Sequence, residues 1–513
     1  MSDSNTVMAP SAQRLMITVC VVLAVIMQAL DTTIANVALP YMQGSVSASS
    51  DQINWVLTSY IVAAAIMTPP SAFLARSFGR KTVLLWAIAG FVMASVLCGI
   101  AQSLEEIIAF RLLQGFAGAA LVPLSQAILL DIYSLKERGS AMALFGVSVM
   151  VGPVLGPMLG GWLTENLSWR WVFFINLPIG LLALLGIMRY VAETPADKNV
   201  RLDWLGFGSL SVAILALQLF LDRGEQLGWF SSLEILIEAT VAASASYVFL
   251  VHTFTAKDPF ISLKLFKDRN FSLSVVFIFI IGITYLASLA LMTPYLQNLM
   301  GYPVLKAGMA MGPRGLGTML TMFLAGKLMG KVDTRWLLFW GLALSAFSMW
   351  LMTGWTPDVS MQIIIYVGFI QGASLGLLFV PLSTIAFATL PGPLRADGTG
   401  LYSLSRNVGS SVGISIVTVM LVQNTQVNHA EIGAHVTAFN RLFDAWNISS
   451  ALAPTTASGQ TLLDSMISTQ ATWIAYINDF KLLMVLSLAV MPLLLVIKPP
   501  PRLPNDDHGP VLE

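Results

Sequence analysis

"QGFAGAALVPLSQAILL" runs from Gln114 to Leu130, and "QGASLGLLFVPLSTIAFA" runs from Gln371 to Ala388. The two stretches share a Gln-Gly opening and a Val-Pro-Leu-Ser centre, with one residue gained in the second. Other pairs keep nearly the same distance. "LPYMQ" (39–43) lies 254 residues before "TPYLQ" (293–297), and "AFLARSFGRK" (72–81) falls on "GKLMGKVDTR" (326–335) at that shift. Gly152 and Gly156 recur as Gly409 and Gly413. The chain is therefore a tandem duplication of one long helical unit.

The surroundings of that unit are lipid. The 513 residues are 56% hydrophobic and 11% charged, against about a quarter charged in soluble domains. So little polar surface cannot cover a globule in water. The formal net charge is zero, which speaks against a nucleic acid partner. Cys20 and Cys98 both fall inside apolar runs, so they read as small core residues rather than a disulfide or a zinc site. The first apolar run is too long for a cleaved signal and has no small-residue cleavage site after it, so it is expected to stay as a helix.

A span needs about 20 apolar residues. Fourteen are legible, at 15–39, 53–74, 82–102, 106–130, 140–162, 172–191, 204–221, 232–254, 271–295, 305–327, 336–354, 361–388, 399–422 and 479–497. Lysine and arginine sort strongly between alternate loops. One side takes Arg76, Arg80, Lys81, Lys136, Arg138, Arg189, Lys198, Arg201, Lys257, Lys264, Lys267, Arg269, Lys327, Lys331, Arg335 and Arg395, with Arg14, Lys498 and Arg502 flanking the termini. The other takes Arg170, Arg223, Lys306, Arg441 and Lys481. Both termini are thus expected in the cytoplasm.

The expected layout is a cytoplasmic tail (1–14), a six-helix bundle (15–202), two inserted helices (203–255) and a cytoplasmic linker (256–270). A second six-helix bundle (271–498) follows, with an external loop at 423–478, and then a cytoplasmic tail (499–513). The fold class is an all-α integral membrane protein: two six-helix halves related about an axis along the membrane normal, plus two inserted helices, the architecture of major facilitator transporters. His429 and His435, six apart in the polar external loop, read as loop residues rather than metal ligands.

Duplication separates fold from function within one sequence. Positions kept in both halves are fold; polar positions present in one half are candidates for function. Asp31 falls on Tyr285, Asn36 on Ala290 and Arg111 on Gly368, while Gln114–Gly115 recurs as Gln371–Gly372. Asp31 lies about 12 Å and Arg111 about 9 Å from the same face, at about 1.5 Å per helical residue, so the two are expected at similar depth. Ionisable groups within spans mark proton or substrate paths. An arginine moving relative to Asp31 would switch its hold on a proton. The alternative is a pair that only staples two helices. Asn36, Gln114, Gln371 and Arg314 are further cavity candidates. Asn36 either shares the face of Asp31 or caps a helix break before Pro40. Arg314, within "GPRGLG", faces either lipid headgroups or a cavity.

Helix 5 contains "GPVLGPMLGG", with Gly152, Gly156 and Gly160 four apart on one face, Pro153 and Pro157 one step round, and Gly161 at the end. Such a face admits close approach of a neighbouring helix, and the prolines are expected to bend it. In the loop 72–84, Arg76, Gly79, Arg80 and Lys81 form a candidate cytoplasmic gate, with Asp131 at the end of helix 4 as partner. No phosphate loop G-x-x-x-x-G-K-[ST], no H-E-x-x-H and no nucleophile–base set occurs. The chain is not expected to be an enzyme, and no cofactor is expected beyond a proton gradient.

"LDTTIANVALP", "RLLQG", "GPVLGPMLGG" and "WRWVFFINLPIG" together resemble the fourteen-helix drug:proton antiporters of the major facilitator superfamily. "DWLGFGSL" and "LDRGEQLGWFSS" point to the EmrB type. The resemblance covers essentially the whole chain. It implies proton-coupled multidrug efflux of hydrophobic or amphipathic compounds, antibiotics among them, with proton coupling at Asp31 and Arg111 and an antiporter motif at Gly152, Pro153, Gly156, Pro157, Gly160 and Gly161. It also implies a place in a bacterial inner membrane, with a periplasmic adaptor protein and an outer-membrane channel as partners; 423–478 and 221–232 are candidate docking surfaces. Export of a dedicated metabolite (fatty acid, siderophore or sugar), or a non-transporting sensor or scaffold, are the alternatives. The superfamily loop pattern G-x-L-x-D-R-x-G-R is broken here: Ala72 replaces the first Gly, Arg76 the Asp and Ser77 the Arg. The usual charge relay of that loop cannot run unchanged.

Overall fold

The computed structural model describes residues 11–53, 55–134, 137–196, 202–225, 227–391, 394–436 and 456–497. Fourteen long helices carry the fold. In the first half these are α1 (Ser11–Ser45), α2 (Trp55–Phe78), α3 (Arg80–Ile100), α4 (Leu104–Ile132), α5 (Arg138–Asn166) and α6 (Trp171–Tyr190). Two inserted helices follow, α7 (Trp204–Arg223) and α8 (Leu233–Thr255). The second half holds α9 (Arg269–Leu299), α10 (Val304–Leu328), α11 (Thr334–Thr353), α12 (Met361–Ala388), α13 (Arg395–His435) and α14 (Ala457–Ala489).

Thirteen of the helices among the described residues are long and apolar enough to cross a membrane. The exception is α10, a helix of 25 residues whose Lys306, Arg314, Lys327 and several glycines dilute its hydropathy. It is nonetheless central to the bundle, packed on α12 in its own half and on α5 in the other. Its apolar run, read at 305–327, is diluted because its glycines trade apolar side chains for close backbone contact. Gly317 faces the Phe369 carbonyl and Gly376 of α12 faces Thr318 and Thr321.

The duplication is visible in the packing. In the first half α1 packs on α5 and α6, and α4 on α2 and α3; in the second, α9 packs on α13 and α12 on α10 and α11. The halves meet through α5–α10, α5–α12, α2–α13 and α4–α13. The largest buried apolar cluster runs through both, with Phe91 and Phe145 on one side and Phe379 and Phe387 on the other. The inserted pair packs on itself, and α7 leans on α2 and α13. Only 11% of the apolar window of α8 is buried, as expected of a helix facing lipid.

Asp203 clasps the inserted pair. It caps α7 through the Gly206 N–H, meets His252 Nε2 at the end of α8 at 2.8 Å, and accepts the Phe260 N–H. Burial pushes the Asp203 carboxyl up, but these donors outweigh it and hold it below the usual range.

The expected external loop 423–478 is more helical than its composition suggested. α13 continues to His435 and α14 starts at Ala457. Past the apolar zone the two are linked by Asn428 donating to the Ala471 carbonyl at 3.3 Å and by His429 with Asp464 at 2.9 Å. Hydropathy falls where a helix leaves lipid, but its backbone ladder does not end there. The middle of that loop with Arg441, both terminal tails beyond 11–497, and Lys136, Lys198, Arg201, Lys498 and Arg502 lie outside the described residues.

Candidate functional site

Five helices converge on Asp31. Its Oδ2 accepts from Arg111 Nη1 at 2.7 Å, and its Oδ1 accepts from Gln114 Nε2 at 2.8 Å and Asn176 Nδ2 at 2.7 Å. Asp31 and Arg111 are each 1% exposed. Arg111 and Gln114 are one turn apart on α4 and so share a face; the Arg111 Nη1 also donates to Gln114 Oε1 at 2.6 Å. Arg111 Nε donates to the Val56 carbonyl of α2 at 3.1 Å, and its guanidinium sits 4.3 Å from the centre of the Tyr60 ring. Ser95 of α3 accepts from Gln114 and Asn176. The pair expected from sequence is thus brought together, with Gln114 in contact. An isolated arginine at the centre of a span costs about 2.5–3.5 kcal/mol on insertion scales; here charge pairing and hydrogen bonds offset that.

Asn176, Ser95 and Tyr60 were missed from sequence. The signal for Asn176 was present: a lone amide in the apolar run "VFFINLPIG". Its Oδ1 has no partner, so one acceptor stands unused beside the carboxylate.

The second half holds a related but unequal cluster. At the shift that sets Asp31 on Tyr285, Tyr60 falls on Arg314. Arg314 lies 4.2 Å from the centre of the Tyr285 ring, as Arg111 does over Tyr60. Its Nη2 donates to the Tyr285 carbonyl at 3.0 Å and to Ser288 Oγ at 2.8 Å, and Gln371 Nε2 donates to the same Ser288 oxygen at 3.1 Å. Arg314 is 4% exposed and turned into the bundle rather than toward headgroups. Around it, α9 winds as a π-turn at Gly282–Leu286, a feature that releases a backbone carbonyl and frequents functional sites. Among the described residues no carboxylate contacts Arg314 as Asp31 contacts Arg111; the buried acid of this half, Asp479 of α14, forms no ion pair with it.

Asn36 does not join the Asp31 cluster. It is exposed, and its amide donates only to the Thr32 carbonyl at 3.4 Å. Helix α1 continues through Pro40 to Ser45, so no break is present for Asn36 to cap.

The glycine face of α5 lies against α1 itself. A Cβ at Gly152 would sit 2.2 Å from the Ala29 carbonyl, and one at Gly156 would sit 2.2 Å from Thr33 Oγ1. Gly160 faces Ile34, and Thr33 donates to the Gly152 carbonyl at 2.9 Å. Gly161 has open space beyond it, and Pro153 lies within the uninterrupted helix Arg138–Asn166, as does the backbone of Pro157. In the other half Gly409 and Gly413 of α13 meet Phe279 and Ile283 of α9 in the same manner. The motif therefore seats the helix that carries the acid.

The candidate gate residues gather where the basic loops lie. Asp131 Oδ1 meets Arg395 of the opposite half at 2.9 Å, and its Oδ2 meets Arg80. Arg76 meets Asp397 of α13 at 3.2 Å. The superfamily pattern has an acid where Arg76 stands, and here the acid is on the other half. Gly79, at φ +89°, lets the chain turn tightly over Glu193, which accepts the backbone N–H of Lys81 and Thr82. Lys81 Nζ reaches the Met188 carbonyl at 2.9 Å. No group of three or more potential metal ligands occurs among the described residues.

The profile of the Major Facilitator Superfamily matches residues 21–414. The chain belongs to the Major Facilitator Superfamily. Among curated relatives, the fatty acid resistance protein FarB of Neisseria gonorrhoeae is 34% identical over 94% of this chain and 96% of its own. The multidrug export protein EmrB of Escherichia coli (strain K12) is 36% identical over 84% of each chain. Within the superfamily the similarity is thus to the EmrB type. The proton:xylose symporter XylE superposes with a TM-score of 0.60 at 14% identity, covering 96% of this chain and 97% of that one. The human organic anion transporter MFSD10 gives 0.59 at 17%, covering 93% and 100%. At such identities these two share the fold alone. This superfamily member is a multi-pass membrane protein and a secondary transporter, not an enzyme.

Proposed function

We propose that this transporter exports small hydrophobic or amphipathic compounds in exchange for protons, and that Asp31 carries the proton. The observation that supports this most is the asymmetry of the halves: one buries an acid paired with a base at matched depth, and the other has Tyr285 and Gly368 there. Multidrug export in EmrB of E. coli and fatty acid resistance in FarB, as their names give them, favour export, and the first favours a broad range of compounds.

The site suggests the steps. The halves are closed at the basic end by Arg76–Asp397 and Asp131–Arg395, which the distribution of positive charge puts on the cytoplasmic side, so the proposed cycle starts with that side shut and the interface reached from outside. Withdrawal of Arg111 leaves Asp31 without its cation and favours its protonation. The protonated carboxyl then needs an acceptor, and Asn176, rotated about its amide, offers the unused Oδ1. Opening of the basic end lets the proton leave inward and cargo enter. At 100 mV one proton supplies about 2.3 kcal/mol, enough for a roughly fortyfold gradient of a neutral compound.

The inner membrane of a two-membrane bacterium is the proposed location, with both termini cytoplasmic. A periplasmic adaptor and an outer-membrane channel are the proposed partners. The paired extensions of α13 and α14 beyond the apolar zone offer the adaptor a helical surface, and the 221–232 turn lies on the same side of the threading.

Purified protein in vesicles with an imposed pH gradient tests the exporter reading. Wild-type vesicles should accumulate lipophilic dyes in proportion to the gradient, and Asp31→Asn vesicles should not, although the variant inserts and folds. Full gradient-driven accumulation by Asp31→Asn would remove Asp31 from the mechanism.

A further inference from the structure

We propose that Arg314 is the centre of an anion site, which receives the carboxylate of an amphipathic cargo molecule. The inference rests on the transporter reading above and names a class of its substrates. A guanidinium keeps its charge in any protein environment and offers five N–H donors. In Arg314 only Nη2 is engaged; Nε and Nη1 are buried and without partners. No ion pair to Arg314 occurs among the described residues.

The first half shows what such an arginine needs. Arg111 stacks on a tyrosine at almost the same distance, and Asp31 neutralises it. In the second half an arginine–tyrosine stack recurs from different positions, Arg314 where the first half has Tyr60 and Tyr285 where it has Asp31, and no carboxylate among the described residues contacts it. Arg406 of α13 is a second half-buried cation with no ion pair among the described residues, and its carbonyl packs against Gly282 at the start of the same π-turn. The second half also buries an acid, Asp479 of α14, but among the described residues it forms no ion pair with Arg314 or Arg406, so neither arginine has a contacting counter-charge.

The position suits a cargo. The Tyr285 hydroxyl reaches Met150 Sδ of α5 at 4.0 Å, and Gly315, next to Arg314, lies against Val154 of α5. Arg314 thus lies at the seam between the halves, where alternating access brings substrate past. Gln371 Oε1, also buried and unpartnered, offers a nearby acceptor for an N–H or O–H of the same molecule. The simpler role is that Arg314 only holds the Tyr285 carbonyl within the π-turn. That role uses one nitrogen and leaves the charge unanswered.

Two probes of one skeleton separate these roles: 2-naphthylacetate and its primary amide, 2-naphthylacetamide, titrated calorimetrically into the full-length protein in detergent at neutral pH. The wild type should prefer the carboxylate by about tenfold or more. Arg314→Gln should lose that preference by weakening the acid alone, and Arg314→Lys should retain part of it. Equal weakening of both probes in Arg314→Gln, or no preference in the wild type, overturns the anion site. A lipophilic cationic dye keeps the two readings apart: wild-type vesicles should accumulate it under a pH gradient. Failure of wild-type vesicles to do so would count against proton-driven export while leaving the binding comparison to stand.

Discussion

Asp31 is held by one guanidinium and two amides, so removing any one of them has a different consequence. Arg111→Leu leaves a buried carboxylate without its cation. Breaking a buried pair from one side costs about 3–5 kcal/mol, whereas replacing both partners is often nearly neutral. The double variant Asp31→Asn/Arg111→Leu should therefore melt at a higher temperature than Arg111→Leu alone, which thermal unfolding in detergent would show. Asn176→Leu removes a donor to Asp31 and the spare acceptor together; it should slow gradient-driven transport while leaving the cation–ring stack of Arg111 in place. A normal transport rate in Asn176→Leu would strike Asn176 from the proton path. Asp31 and Arg111 were legible because the duplicate supplied a reference. Asn176 left a signal as a lone amide in an apolar run, but neither it nor Ser95 stood apart from an ordinary satisfied polar group until its neighbours were known. Arg406 was overlooked for a related reason: it sits inside a recognised span without a motif around it.

At the scale of elements, the glycine face of α5 decides where α1 can lie. The contact at Gly152 is with backbone, which cannot turn aside as a side chain can. Gly152→Ala should force α1 away and disturb the Asp31–Arg111 contact, at roughly the 1–3 kcal/mol of overpacked cores. Gly161→Ala, with open space at that point, should change little. Melting curves and transport rates of the two variants check this. The lock at the basic end gives a second test. Arg76 is more than a third exposed although Asp397 is largely buried, so solvent screens the pair and it is worth on the order of 1 kcal/mol, or about a fivefold shift between closed and open states. Arg76→Asp should raise labelling of cysteines placed on the basic side, and Arg76→Asp/Asp397→Arg should reverse the gain. The helix spans themselves were legible from hydropathy and charge, but the ends of α13 and α14 were not, since helices that leave the membrane lose their apolar signal while keeping their hydrogen bonds. The cross-half pairing of Arg76 was also invisible: the sequence showed a missing acid, and only the packing of α13 on α2 reveals where an acid now stands.

At the scale of the whole molecule, two unequal halves divide the work. The first holds a paired acid and base, and the second holds Arg314 at the seam without an ion pair among the described residues. The inserted helices are clasped to each other by Asp203 and rest on both halves through α7, where Thr58 of α2 donates to Asp222. Because the Asp203 carboxyl is held below its ordinary value, its contribution to stability is complete above the usual aspartate range near pH 3.9 and is lost only as pH falls through the depressed value. Asp203→Ala should lower the melting temperature at neutral pH and leave the Asp31 site intact. The central claim is that cargo and a proton on Asp31 compete. The direct measurement is proton release to a pH indicator when a transported dye is added to the detergent-purified protein in weak buffer. The wild type should release protons as it binds the dye, and Asp31→Asn should bind the dye with no release. Equal release from both proteins would contradict the account.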